Sequence, residues 1–290
     1  TYNNGAWVVA LASGAAFAPS SAFSASFGSS GHDPLTGDFN GDGLTDIGIV
    51  NRTTGAVDVR LSTGAGFAAS AAAIGSFGGS QPHLSADVNG DGLTDVAFYN
   101  RGTGQFDYAL STGTQFSDAA GTLLPPVFSR RADSDVPQLA DFNGDGLPDP
   151  AVFNSISGGA ELARSAGTFP DLLVSVANGL GGSTSLEYAA SPQCDNICPV
   201  ENIPKLPFVI PLVRRVTADN VLGHRVSSTY HYRKGRYDAP TREFRGFARA
   251  EVRDAAGNVA ITEFHQDEHK KGRPFLSELR DAAGTLWTKA

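Results

Sequence analysis

"DFNGDGLTD" (Asp38 to Asp46), "DVNGDGLTD" (Asp87 to Asp95) and "DFNGDGLPD" (Asp141 to Asp149) are one nine-residue phrase written three times. Their starts lie 49 and 54 residues apart, and a second block keeps step with them: "TYNNGAWVVALASGAAF" (1 to 17), "NRTTGAVDVRLSTGAGF" (51 to 67), "NRGTGQFDYALSTGTQF" (100 to 116) and "NSISGGAELARSAGTF" (154 to 169). In all four copies a first turn glycine (Gly5, Gly55, Gly104, Gly158) precedes a second (Gly14, Gly64, Gly113, Gly167) by nine residues, room for one short strand between two turns. A period near 50 residues signals a propeller or similar array. The unit reads as acidic loop, strand ("IGIV", "VAFY", "PAVF"), Asn/Gly turn, strand, Gly turn, Phe. Turn signals about every ten residues without a 3.6-residue apolar period describe four-stranded antiparallel blades. The first copy lacks its acidic loop, so the expectation is three blades with loops and one partial blade, completed by more blades upstream or by strands from elsewhere.

Within D-x-N-G-D-G-x-x-D, oxygen-bearing side chains fall at positions 1, 3, 5 and 9, and glycine at 6 permits a sharp turn. This is the opening of an EF-hand-like calcium loop, in which position 7 offers its carbonyl. The expected ligands are Asp38, Asn40, Asp42, the Leu44 carbonyl and Asp46; then Asp87, Asn89, Asp91, the Leu93 carbonyl and Asp95; then Asp141, Asn143, Asp145, the Leu147 carbonyl and Asp149. No bidentate glutamate follows at position 12, so these are not helix-flanked EF-hands. Oxygen donors without His or Cys favour Ca²⁺ over zinc or copper. A bare Asn-Gly or Asp-Gly turn would need neither the outer carboxylates nor their recurrence. At a Kd of about 10⁻⁴ M and millimolar calcium, each of the three sites would add about 1.4 kcal/mol to the folded state. The calcium role expected is structural, because the loops hold no spare nucleophile or base.

Composition sets the outer limits. The 290 residues contain no methionine, 34 glycines, 18 phenylalanines and only two cysteines. Residues 1–180 carry 6 Arg against 17 Asp and Glu, whereas residues 181–290 carry 16 basic and 13 acidic side chains, so the two parts are different materials. The acidity of the first part suggests cations and argues against nucleic acid. No apolar run approaches the ~20 residues of a membrane span, and no signal segment opens the chain, which reads as a processed chain or a fragment.

Beyond "SVANGLGGSTSLEYAASPQ" strict alternation takes over. Val226, Ser228, Tyr230 and Tyr232 share one face of a strand, and Arg225, Ser227, Thr229, His231 and Arg233 the other; Phe244, Gly246, Ala248, Ala250 and Val252 form one face of the next. "RDAAGNV" (253 to 259) and "RDAAGTL" (280 to 286) recur as turns. The basic-aromatic run from Tyr230 to Arg249 is read as aromatics pointing inward and guanidiniums pairing with Asp238, Glu243 and Glu251, in preference to a nucleic-acid platform. His265 and His269 read as a solvated turn. Cys194 and Cys198, flanked by Pro192 and Pro199, could form a short-loop disulfide or stay free; zinc would need further ligands nearby.

The acidic segments resemble FG-GAP (integrin-alpha-like, VCBS-type) repeats, which form calcium-binding propeller blades, over roughly residues 1 to 170. "NGLGGSTSLEYAAS", "LPFVIPLVRRV", "YRKGRYDAPTREFRGFARAEV" and "FHQDEHKKGRPF" resemble the post-propeller region of toxin-complex B components and SpvB-like proteins, where the chain passes into Rhs/YD-repeat sheet. The expectation is an all-β chain: residues 1–175 as a partial propeller, 176–215 as a linker, and 216–290 as the start of an antiparallel Rhs/YD-type sheet. The resemblance implies a secreted or cell-surface, non-enzymatic scaffold whose propeller docks a channel-forming A component and whose sheet begins a shell around a toxic cargo. The alternative is a calcium-dependent adhesin or glycan-binding propeller; an accessory domain of a secreted hydrolase is a third.

Overall fold

Runs of β-branched and aromatic residues between Asn/Gly turns pair with their neighbours in sequence, so the fold is built of antiparallel hairpins. The computed structural model describes residues 1–12, 16–68, 72–118, 127–165, 169, 172–193, 206–220, 222 and 224–290. Two compact units form, Thr1–Asn143 with Leu147–Pro170, and Gly144–Gly146 with Asp171–Ala290.

Among the described residues the first unit holds four sheets. Strands β1 (Tyr2–Asn3), β2 (Ala6–Ala12) and β3 (Phe17–Ser26) make the partial first copy. Strands β4 (His32–Gly37), β5 (Asp46–Asn51), β6 (Ala56–Arg60) and β7 (Ala72–Ser76) form a four-stranded blade in sequence order. Strands β8 (His83–Ala86), β9 (Asp95–Asn100), β10 (Gln105–Ser111) and β11 (Phe116–Asp118) form a second. The third comprises β12 (Asp135–Ala140), β13 (Asp149–Asn154) and β14 (Ala160–Leu162); among the described residues it has three strands where the repeat predicts four.

The core of this unit lies between blades. Trp7 and Phe27 of the first copy pack on Ile47 and Ile49. Leu35, Phe39, Val50, Val57 and Val59 meet Val96, Ala109 and Phe116 of the next blade. Tyr99, Phe106 and Tyr108 in turn meet Phe128 and Val152. A central blade strand is therefore covered on both faces, which is why "IGIV" reads as a continuous apolar run and Ile47 to Val50 are all buried.

The Asn/Gly turns explain the second repeated block. Asn51 Oδ1 accepts the amides of Thr53 and Thr54 at 2.9 and 3.1 Å, and Asn100 and Asn154 do the same at their own turns. Each turn closes on a left-handed glycine, Gly55, Gly104 or Gly158, with φ of 72°, 77° and 71°. The Gly55 and Gly104 carbonyls then accept the amides of Phe77 and Phe128 at 2.9 and 2.7 Å. A Cβ on Gly55 would stand 2.2 Å from the Phe77 oxygen, so the turn tolerates no side chain.

The second unit is one eight-stranded meander: β15 (Ser175–Ala177), β16 (Ser183–Ala190), β17 (Pro211–Asp219), β18 (Arg225–Asp238), β19 (Glu243–Arg253), β20 (Val259–Phe264), β21 (Pro274–Arg280) and β22 (Leu286–Lys289). The stretch 176–215, read from sequence as a linker, thus carries β16 and parts of β15 and β17; the alternation in "STSLEYAA" was the signal for it. Register puts Tyr230, Val252, Ala260 and Leu279 in one row on one face. The row beside it on the other face is His231, Glu251, Ile261, Glu278 and Lys289. The first row is apolar, while the second carries charged side chains around the buried Ile261. Cys194 and Cys198 lie outside the described residues.

Candidate metal loops

The first acidic loop joins β4 to β5 and winds around its own first carboxylate. Asp38 Oδ1 accepts the amides of Gly41 and Asp42 at 2.7 and 3.1 Å, and its Oδ2 accepts that of Gly43 at 2.7 Å. Asn40 donates through Nδ2 to Asp42 Oδ2 at 2.9 Å, and Asp42 Oδ1 accepts the Leu44 amide at 2.8 Å. The second loop, between β8 and β9, repeats this bond for bond: Asp87 accepts Gly90, Asp91 and Gly92 at 2.6, 3.1 and 2.9 Å, Asn89 donates to Asp91 at 2.9 Å, and Leu93 donates to Asp91 at 2.8 Å. Positions 1, 3 and 5 are therefore brought together in both loops. The sixth-position glycines, Gly43 and Gly92, have φ of 80° and 85°, the conformation that the spacing demands of them.

Position 9 behaves differently. Asp46 is fully buried; its Oδ2 accepts the Phe39 amide at 3.0 Å and its Oδ1 the Ser62 amide at 2.7 Å. Asp95 holds Val88 and Ser111 at 2.9 and 2.7 Å, and Asp149 holds Phe142 and Ser165 at 3.0 and 2.7 Å. The partners fall at the same offsets in all three blades. This carboxylate ties the loop to its own strand and to the far end of the neighbouring strand. The sequence reading missed that role: the spacing shows an oxygen at position 9 but not that two buried amides claim it.

Burial pushes the Asp46 carboxyl above its ordinary value, against the pull of its two amide donors. The same cause raises Asp87, and it pushes Asp95 up to about 7, with the charges of Asp91 and Asp87 adding to the effect.

Adjacent loops also interlock. Thr94, at position 8 of the second loop, accepts the Asp38 amide on Oγ1 at 2.9 Å and donates its own amide to the Asp38 carbonyl at 2.7 Å. Ser111 Oγ donates to the Phe39 carbonyl at 2.7 Å in a buried bond. At position 8 of the third loop stands Pro148, which has neither hydroxyl nor amide hydrogen and can make neither Thr94 bond.

The donors available for a cation are carboxylates, a carboxamide and carbonyls. Those of Leu44 and Leu93 accept no hydrogen bond among the described residues. This all-oxygen chemistry fits a hard cation such as calcium. As arranged, no group of three or more His, Cys, Asp or Glu among the described residues is gathered for a metal, because the ninth-position carboxylate faces inward. Asp141, Asn143, Asp145 and Leu147 follow the same spacing in the third loop, where Leu147 is buried.

In the second unit, the guanidiniums expected to pair do so: Arg245 with Asp238 at 3.0 Å, and Arg233 with Glu251 at 3.4 Å. Glu243 is held by Lys271. His265 and His269 lie in a turn in which His265 stands 3.5 Å from Asp267 and the His269 amide donates to Asp267. Among the described residues no helix is long and apolar enough to cross a membrane.

Comparison with known proteins covers both units, with matches that overlap across the third blade. An FG-GAP-like repeat model matches residues 38–98 and 87–152, spanning the three acidic loops. The model of the insecticide toxin TcdB middle/N-terminal region matches residues 126–274, just over half of the chain. No curated protein matches significantly. Among solved structures, the TcdB2-TccC3 complex aligns over 94% of this chain at 19% identity and a TM-score of 0.72. Its form without the hypervariable C-terminal region aligns over 94% at 20% identity and 0.71, and the Photorhabdus luminescens Tc holotoxin pore over 86% at 18% and 0.68. These likenesses establish the fold, and the chain spans only 15–16% of the length of those solved chains. With FG-GAP-like blades leading into a sheet that its family model matches through residue 274, the chain belongs to the insecticide toxin TcdB middle/N-terminal region family.

Proposed function

We propose that this chain is a non-enzymatic, calcium-stabilised scaffold of a secreted toxin-complex B-like protein, whose blades dock a channel-forming partner and whose sheet begins a shell around a toxic cargo. The observation that carries this reading is the order of its parts, FG-GAP-like blades followed by the antiparallel meander of a family member. The described acidic side chains of the loops support a structural role, since Asp38, Asp46, Asp87 and Asp95 each accept two or more main-chain amides. Calcium would be held by Asp38, Asn40, Asp42 and the Leu44 carbonyl, with Asp46 closing the loop from behind, and equivalently in the other two loops. When bound it supplies positive charge among carboxylates that otherwise repel one another.

The metal reading is tested by thermal unfolding with calcium and with EGTA. Calcium should raise the midpoint, and an identical midpoint in both would remove the cation from the reading. Docking is tested separately, by binding of the chain to the channel-forming component of a toxin complex. Absence of binding at micromolar concentrations, with the fold intact, would leave a scaffold without that partner.

A further inference from the structure

The loops contain Asn-Gly pairs, the dipeptide most exposed to deamidation, because glycine offers no side chain to hinder attack of its own nitrogen on the preceding carboxamide. For the reaction to run, the Gly41 nitrogen must lose its proton and bond to Asn40 Cγ. The Cγ–Nδ2 bond then breaks and ammonia leaves with the proton. Water opens the resulting succinimide to aspartate or isoaspartate, with no oxidant or reductant required.

The closed loop opposes this at both ends. The attacking nitrogen, Gly41 N, donates to Asp38 Oδ1 at 2.7 Å, and in the second loop Gly90 N donates to Asp87 Oδ1 at 2.6 Å. The carboxamide under attack is held as well. Asn40 donates to Asp42 Oδ2 at 2.9 Å and accepts the Asp42 amide at 3.3 Å; Asn89 does the same with Asp91 at 2.9 and 3.1 Å. Each side chain thus reaches forward over the following peptide.

Asn178-Gly179, in the exposed turn between β15 and β16, offers an internal contrast. There Asn178 Oδ1 accepts the amides of Leu180 and Gly182 at 2.9 and 3.0 Å, so its carboxamide is held as those of Asn40 and Asn89 are, but no carboxylate takes the Gly179 amide among the described residues, and the attacking nitrogen is the feature that differs.

We propose that Asn40 and Asn89 are latent deamidation sites guarded by loop closure, and that Asn178 is an open one. Modification at Asn40 or Asn89 would then occur only through the opened loop, and its aspartate product would write a fourth carboxylate into a loop whose third position accepts either Asn or Asp as a cation ligand. The chemistry records how long each loop has stood open.

The test is peptide mapping of the intact chain after incubation at mildly alkaline pH, each site being compared with the same site in guanidinium chloride. Asn178 should modify at nearly its denatured rate, and Asn40 and Asn89 on the order of tenfold more slowly or beyond, in keeping with opening-limited chemistry. Asp38→Ala should release Asn40 while leaving Asn89 slow. Native rates at Asn40 or Asn89 equal to their denatured rates, or an Asn178 as slow as they are, would overturn the proposal without need of a variant. An added arm rests on the calcium reading: calcium should slow Asn40 and Asn89 further and EGTA should hasten them. If neither changes the rates while the native-to-denatured contrast stands, the cation reading fails and the guarding survives.

Discussion

The two units solve the problem of holding strands together by different means. In the first, sheets cover one another, and Val50, Val57, Val96, Tyr99, Phe106 and Val152 are wholly buried between blades. In the second, Ala190 and Ile261 are the only buried hydrophobic side chains among the described residues. Among the described residues the single sheet has no partner layer within its own unit, so its described cohesion comes from ladder hydrogen bonds and cross-strand pairs. Electrostatics follow the same division. Burial raises Asp46, Asp87 and Asp95 in the acidic loops of the first unit, although donors lower Asp135 and Glu161 there, whereas donors and nearby cations lower Asp238, Asp254, Asp267, Glu278 and Asp281 in the second. One unit is stabilised by exclusion of water, the other by a compensated surface.

The two tryptophans, buried Trp7 in the first unit and exposed Trp287 in the second, allow each to be followed alone after replacement of the other by phenylalanine. The largest effect is expected from Phe106→Ala, which empties the space between Tyr99, Tyr108 and Phe128. Urea unfolding read at Trp7 should show a loss of about 3–5 kcal/mol, with the Trp287 transition unmoved. Next comes Asp95→Ala, which strands the buried amides of Val88 and Ser111; a loss on the order of 3 kcal/mol is expected in the same signal. Ile261→Ala reports on the second unit. With so little covering layer its cost should be about 2 kcal/mol, at the low end for such truncations, and a larger loss would show a tighter core than this comparison allows.

Thr94→Val removes the hydroxyl that accepts the Asp38 amide and should cost about 1 kcal/mol, with faster amide exchange in residues 38–43. Unchanged exchange there would dissolve the interlock between the first two loops. The smallest effect concerns acid. Glu278 is held below its ordinary 4.5 chiefly by Arg280, then by Lys289, so the stability it contributes is present above that value and lost as pH falls through its folded-state pKa. Glu278→Gln should flatten the acid limb of the Trp287 transition and leave its neutral plateau almost unchanged.

Much of this was legible in the chain. The acidic phrase located three turns, the Asn/Gly spacing located the strands between them, and alternation placed Tyr230, Tyr232, Ala250 and Val252 on one face, because a period of two is a direct consequence of the pleat; the register shift between Gly235 and Tyr237 breaks that alternation at Phe244, which is exposed while Arg245 is buried. Three things were not legible. The inward commitment of Asp46, Asp95 and Asp149 depends on Ser62, Ser111 and Ser165, sixteen residues on, whose main-chain amides carry no side-chain signature. The bond from the Phe77 and Phe128 amides to the turn glycines was hidden for the same reason. The strands of 176–215 were passed over because two cysteines and several prolines drew the reading toward a loop, although "STSLEYAA" alternates as plainly as β18 does.

The two Arg-Asp turns of the meander bear on how such a sheet can change length. Arg253 donates to the Gly257 carbonyl and Arg280 to that of Gly284, while Asp254 and Asp281 accept amides within their own turns. Each turn carries its own lock and borrows nothing from a core. Arg253, Val259, Arg280 and Leu286 stand in one row across the sheet, so the second turn repeats the first on the same face. A tandem duplication of residues 254–280 would add two strands, return the chain in its original direction and keep the apolar face in phase. Strand number becomes a quantity that copying errors can adjust without repacking an interior, and the size of what such a sheet spans can drift while its local chemistry stays fixed.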